Sequence, residues 1–149
     1  MKLSDKINSQ TIISPLKSTF KKDVIHELLE HLISLKYLTS SVKLFSYLDD
    51  EKEIFNSASG RGIAYHYHTS IEVDTVVAVL GISKQGIDYG ASDGLPCHFI
   101  LLILEPTNEP DKHRVFINFF QNLIKNSDIK SKILEVNSGL EIEKIIQKW

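Results

Sequence analysis

Val24, Ile25, Leu28, Leu29, Leu32 and Leu35 recur at three- and four-residue intervals, the spacing of a helix with one apolar face turned toward a flat partner. Ser18 or Thr19 stands where it can cap that helix, and Asp23 falls in the first turns, where the helix dipole favours negative charge. Thr39, Ser40 and Ser41 form a second cap cluster, followed by Val42, Leu44, Phe45 and Leu48 and then a charged run at 49–53 that reads as a solvated helix end. Residues 10–16 predict a short strand, confined to a sheet edge because Pro15 has no N–H to donate to a ladder. Residues 73–82 and 99–104 are nearly continuous apolar runs, as expected of strands buried on both faces. Residues 86–94, between them, hold three glycines and two aspartates and read as a loop. Helical patterns at 111–125, 129–134 and 140–148 complete the chain. This order predicts an α/β single-domain layered fold over residues 1–149, a mixed β-sheet flanked by helices.

The rarer chemistry gathers at residues 60–70, which carry two of the six histidines and one of the two arginines. Gly60 and Gly62 loosen the backbone, and residues 63–67 then form a branched and aromatic run suited to a strand. Side chains alternate along a strand, so His66 and His68 share one face while Tyr65 and Tyr67 share the other.

Composition narrows the partners. Seventeen Lys+Arg against nineteen Asp+Glu give a formal charge of −2, so no basic excess exists to neutralise a phosphate backbone and nucleic acid is not expected. The single cysteine, Cys97, excludes an internal disulfide and any multi-cysteine metal site, and its apolar surroundings predict a buried structural thiol. The N-terminus lacks a signal-peptide pattern, and no apolar stretch approaches the ~20 residues of a membrane span, so a cytoplasmic protein without membrane insertion is expected.

Several segments together resemble a known family. Leu3-Ser4-Asp5 and the helix over 17–32 are similar to the opening of enzyme IIA domains of the bacterial phosphotransferase system, of the fructose, mannitol and nitrogen-regulatory type. Gly62-Ile63-Ala64 resembles the start of that family's Gly-Ile-Ala-Ile-Pro-His phosphorylation motif. Residues 80–90 with Asp93-Gly94 are similar to its nitrogen-type next segment, and 99–106 to the strand ending in proline after it. His113 opens a helix where the family places a second active-site histidine. The resemblance implies the family's fold and a phosphotransferase-system partner, such as the phosphocarrier protein, and no cofactor. Phosphoryl transfer is largely positioning and charge stabilisation, which a histidine pair and an arginine supply.

The chain departs from that motif at its centre. Aligned without gaps, the family's proline falls on His66 and its phosphoacceptor histidine on Tyr67, while the arginine of the preceding helix falls near Glu51. A tyrosine phosphate ester is a far poorer phosphoryl donor than a phosphoramidate, and an anion in place of a cation repels phosphate. The resemblance therefore implies a regulatory domain that binds a protein target and has lost the relay. The alternative is an active phosphocarrier using His66 or His68 with His113, reached through a bulge that slips the register, with Arg61, Arg114 and Ser57 as phosphate contacts. Two further readings stay open: an anion pocket at the old site with His113 and Arg61, and zinc at His66 and His68, whose spacing alone is a weak metal signal, so no metal is assigned. His26 and His31 read as surface residues and His98 as a hydrogen-bonded structural histidine.

Overall fold

The strand Cys97–Glu105 is apolar almost from end to end because it runs through the middle of a sheet covered on both sides. The computed structural model describes residues 3–49, 58–109 and 111–149. Among them the strands are β1 (Ile12–Ile13), β2 (Ala58–Gly60), β3 (Ile63–Thr69), β4 (Val77–Ile87) and β5 (Cys97–Glu105). The helices are α1 (Lys21–Ser34), α2 (Val42–Leu48), α3 (Lys112–Ile124), α4 (Ser127–Glu135) and α5 (Gly139–Lys148), with a 3-10 turn at Leu3–Asp5. The sheet order is β1-β4-β5-β3-β2, with β1 parallel to β4, β4 antiparallel to β5, β5 parallel to β3 and β3 antiparallel to β2. The expected mixed sheet flanked by helices is the observed fold.

Alternation along the strands sorts the core into two layers. Ile63 and Tyr65 of β3, Leu80 and Ile82 of β4, and Phe99, Leu101 and Ile103 of β5 pack beneath α3, α4 and α5 through Phe116, Phe120, Leu123, Ile133, Ile142 and Ile146. Ala64, Val79, Ile100, Leu102 and Leu104 face the other way, against Val24, Ile25, Leu28, Leu29 and Leu32 of α1 and Leu44 and Leu48 of α2. The stripe on α1 thus meets the flat partner that its period requires. Cys97 is buried in this second layer, and burial pushes its thiol up to about 11.

Three local expectations need correction. Phe20, not Ser18 or Thr19, occupies the N-cap of α1; the Ser18 hydroxyl instead donates to Glu27 at 2.6 Å, and the Lys17 and Ser18 amides donate to the same carboxylate. Val42 is 74% exposed, because α2 turns only Leu44 and Leu48 fully into the core. β4 starts at Val77 rather than at 73 and continues to Ile87, through what reads as loop. The pairing register shifts between Ile82 and Ile87, Gly86 takes a positive φ of 84°, and the Ser83 hydroxyl accepts from the Gly86 amide at 3.0 Å. A glycine thus carries a bulge inside the strand instead of ending it. No helix among the described residues is long and apolar enough to cross a membrane.

Phe120 is fully buried and meets both Tyr65 and Phe99 edge to face, with ring centroids 6.3 and 6.4 Å apart, so it ties α3 to two strands. Phe120→Ala is expected to destabilise the chain by about 3–5 kcal/mol in urea unfolding, and a loss below about 1 kcal/mol would contradict this packing.

Candidate functional site

β3 and β5 run parallel, so their carboxyl ends lie side by side, with Thr69 paired to Glu105 and Tyr67 to Ile103. Glu105 ends β5 with its side chain buried, 2% exposed. Two hydrogen bonds explain how a carboxylate tolerates that position. One oxygen accepts from the His113 backbone N–H at 2.8 Å, and the other lies 2.8 Å from His113 Nδ1. His113 sits in the first turn of α3, where backbone amides lack partners within the helix. The N-cap residue Asp111 makes no capping bond, so a carboxylate from the end of a strand takes that role, on the side of the helix where the dipole favours negative charge.

The same carboxylate orients the ring. An ionised carboxylate only accepts, so Nδ1 carries the proton and Nε2 is left with its lone pair or as a second donor. Over this imidazole lies Tyr67, with ring centroids 4.0 Å apart and planes within 7°. Tyr67 reaches His113 because the odd positions of β3 face α3, the parity that also buries Ile63 and Tyr65 in that layer.

His66 and His68 face the other way. His66 is 2% exposed, and its Nε2 lies 2.9 Å from the Tyr89 hydroxyl. Burial first, and the Lys21 charge second, lower its pKa to about 3, so it is a neutral ring at physiological pH. The Lys21 ammonium stands 5.5 Å over the Tyr89 ring and makes no hydrogen bond among the described residues; burial lowers it to about 8 against the attraction of Asp49. Burial likewise raises the Tyr89 phenol. His68 is half buried and stacks on Tyr47 with centroids 4.7 Å apart, while its Nδ1 donates to the Thr69 carbonyl at 2.8 Å. No bulge interrupts the β3–β5 register, which runs without a shift from Ile63 to Thr69. The slip that would have turned His66 or His68 toward His113 is therefore absent, and each is engaged by a different tyrosine rather than by a shared ligand.

The proposed phosphate contacts also separate. Arg61 stands in the turn before β3, and the four strand steps from Ile63 to Tyr67 alone span about 13 Å at the strand rise. An anion pocket combining Arg61 with His113 therefore does not form. Arg114 follows His113, but its side chain is 75% exposed and lies 3.8 Å from Asp111. Ser57 and Glu51 lie outside the described residues. Elsewhere His98 Nδ1 contacts the Ser83 carbonyl at 2.8 Å, His26 stacks on Phe45, and His31 contacts the Gln10 carbonyl at 2.6 Å. Among the described residues no group of three or more His, Cys, Asp or Glu side chains could hold a metal ion.

Sequence reasoning passed over Glu105. Its signal was present: one acid closing an otherwise apolar strand, eight residues before a histidine at a helix start. Tyr89 and Tyr47 carried no such signal, since they meet His66 and His68 only through the fold.

Two measurements check this geometry. Glu105→Ala orphans a buried amide and frees the imidazole, and is expected to cost about 2–3 kcal/mol while His113 ring resonances broaden or shift; unchanged ring resonances would contradict the pairing. For His66, the unfolded chain binds a proton below about pH 6.5 that the folded chain refuses until about pH 3. Stability is therefore lost as pH falls through that window, by at most about 1.4 kcal/mol per pH unit from this group. His66→Gln, which keeps a partner for Tyr89, should show a flatter acid limb than the parent chain in denaturant titrations at several pH values; parallel limbs would contradict the burial.

The comparisons agree with the geometry. The family model for the phosphoenolpyruvate-dependent sugar phosphotransferase system, EIIA 2, matches residues 6–149. The fructose-specific EIIABC component of the phosphotransferase system of Bacillus subtilis (strain 168) is 24% identical over 148 residues. That alignment takes in 99% of this chain but only 23% of that protein's length. The crystal structure of nitrogen regulatory protein IIA-Ntr from Neisseria meningitidis superposes with a TM-score of 0.81 at 18% identity, covering 97% of this chain and 98% of that one. Enzyme IIA mannitol from Escherichia coli, in its complex with phosphorylated enzyme IIB mannitol, gives 0.75 at 16% identity, over 97% of this chain and 99% of that one. With strand order, helix placement and a match along almost the whole sequence in agreement, the chain belongs to the EIIA 2 family of the phosphoenolpyruvate-dependent sugar phosphotransferase system.

Proposed function

We propose that this enzyme IIA-type chain is a regulatory protein-binding domain, meeting a phosphotransferase-system component or another protein target through the surface around Tyr67 and His113, without passing a phosphoryl group onward. The observation that supports this reading is the Tyr67 ring lying flat over His113, Tyr67 being the residue on which a gap-free alignment puts the family's phosphoacceptor histidine. A relay needs an imidazole there. A phenol in its place can accept a phosphoryl group only as an ester, whose transfer potential is too low for onward donation. The neighbouring imidazoles do not compensate, since His66 is sealed against Tyr89 and His68 is turned toward Tyr47. Nor does Arg61 supply the missing cation, given its distance along β3. The mannitol enzyme IIA, solved in complex with its phosphorylated enzyme IIB, supports a protein as the partner. A protein acting on such partners works in the cytoplasm.

One observation favours a second reading. Glu105 engages Nδ1 of His113 and thereby leaves Nε2 as the nitrogen open to a partner. His113 would then itself accept the phosphoryl group: the phosphorus–nitrogen bond of the donor breaks as one to Nε2 forms, and Nδ1 keeps its proton against Glu105.

Incubation of the chain with the phosphorylated carrier protein separates the two. The regulatory reading expects no acid-labile adduct by mass spectrometry. It also expects calorimetric binding of the unphosphorylated carrier or of enzyme IIB, weakened about tenfold or more by Tyr67→Ala, as for an aromatic at the centre of an interface. An acid-labile adduct that vanishes in His113→Ala would replace this reading by the second, and one that vanishes in His68→Ala would restore the phosphocarrier.

A further inference from the structure

At the end of the sheet away from His113, a cleft of about 600 Å3 opens between the turn before β3 and the junction of α3 with α4. Arg61, Lys125 and Lys130 bring three cations to it, Gln121 and Ser127 add neutral polar groups, and Ile63, Leu95 and Ile124 give it apolar wall. Among the described residues none of the three cations lies in a salt bridge. Asp93 does not offset their charge through a side-chain pair, because its two oxygens accept from the backbone amides of Arg61 at 2.6 Å and Leu95 at 3.0 Å. Those two bonds hold the Asp93 carboxyl below its ordinary value.

The backbone of Arg61 is set for this place. Its φ is 57°, a left-handed conformation that a side chain with a Cβ rarely adopts, followed by Gly62 at 81°. Asp93 grips its N–H and Lys130 Nζ donates to its carbonyl at 2.9 Å, so contacts on both sides of the residue hold the strained turn. Strain maintained in this way is common where a side chain must be aimed at a ligand. Tyr65, next to Gln121 of the cleft wall, is buried, 4% exposed. Its phenol, pushed by burial up to about 12, has the Gln121 side chain beside it. The helix N-terminus of α4 plays no part, since the Asn126 side chain already accepts from the Asp128 and Ile129 amides.

We propose that this cleft binds a small organic dianion, a phosphate monoester or a dicarboxylate with a compact apolar body, held by Arg61, Lys125 and Lys130. The volume suits a metabolite-sized molecule rather than a protein segment, and the mixture of apolar wall with a few convergent polar groups is that of small-ligand sites. The site shares no residue with the Tyr67–His113 surface, so it stands or falls independently of how that surface works.

Amide NMR titration of the full chain tests it, with phenyl phosphate and phthalate as the two dianion probes, inorganic phosphate as the charge-only control and phenol as the apolar control. Saturable shifts are expected at residues 61–63, at Leu95 and over 121–130 for at least one dianion, with inorganic phosphate and phenol weaker by about tenfold or more. The arm that saturates distinguishes phosphate ester from dicarboxylate. Arg61 and Lys125 are exposed, so Arg61→Gln with Lys125→Gln leaves the fold intact and should weaken binding by about tenfold, whereas Lys148→Gln should change nothing. Absence of saturation by both dianions at millimolar concentration, equal binding of inorganic phosphate, shifts centred on His113, or full affinity in the double variant would each overturn the proposal.

Discussion

A single carboxylate at the end of a central strand organises one end of this molecule. Glu105 is buried at the tip of β5 and survives there because both its oxygens accept from one residue, the backbone amide and the ring of His113. Loss of either bond would leave an uncompensated charge in a dry place, which costs more than the bond contributes when made. The interaction therefore fixes α3 to the sheet and, at the same time, fixes the imidazole that α3 carries. Tyr67 can stack on that ring with nearly parallel planes only because the ring has no freedom to turn away.

Parity on β3 divides the rest of the chemistry. A strand offers alternate side chains to opposite layers, so one unbroken register places Tyr67 with His113 and removes His66 and His68 to the layer of α1 and α2. The removal has different consequences for the two. His66, enclosed with Tyr89 and near the Lys21 ammonium, is a neutral structural ring. His68, half buried near the end of β3, donates Nδ1 to the Thr69 carbonyl and stacks on Tyr47. The ring that lies over His113 is thus the phenol of Tyr67 and neither of the two imidazoles of β3.

The opposite end of the sheet shows the same economy with charge. Arg61, which the resemblance suggested as a stand-in for a lost phosphate contact, is held in a strained turn by Asp93 and Lys130 and joins two lysines around a separate cleft. The two ends are linked by β3 and by α3, whose first turn carries His113 and whose last turn carries Ile124 on the wall of the cleft.

Periodicity alone determined a good deal. The stripe on α1, the apolar runs of β4 and β5, the edge position of β1 and the alternation along β3 are local properties, and each follows from residue spacing and the two repeat lengths of helix and strand. Local reading went wrong where a tertiary contact outbid it: at Gly86, where a bulge carried pairing through an apparent loop, and at α1, where Glu27 claimed the residue expected to cap. Which imidazole meets which partner was decided only by the folded chain. Glu105 with His113, His66 with Tyr89 and Arg61 with Asp93 join residues from separate elements, and their proximity depends on how helices dock and sheets pair, information that no window of sequence contains.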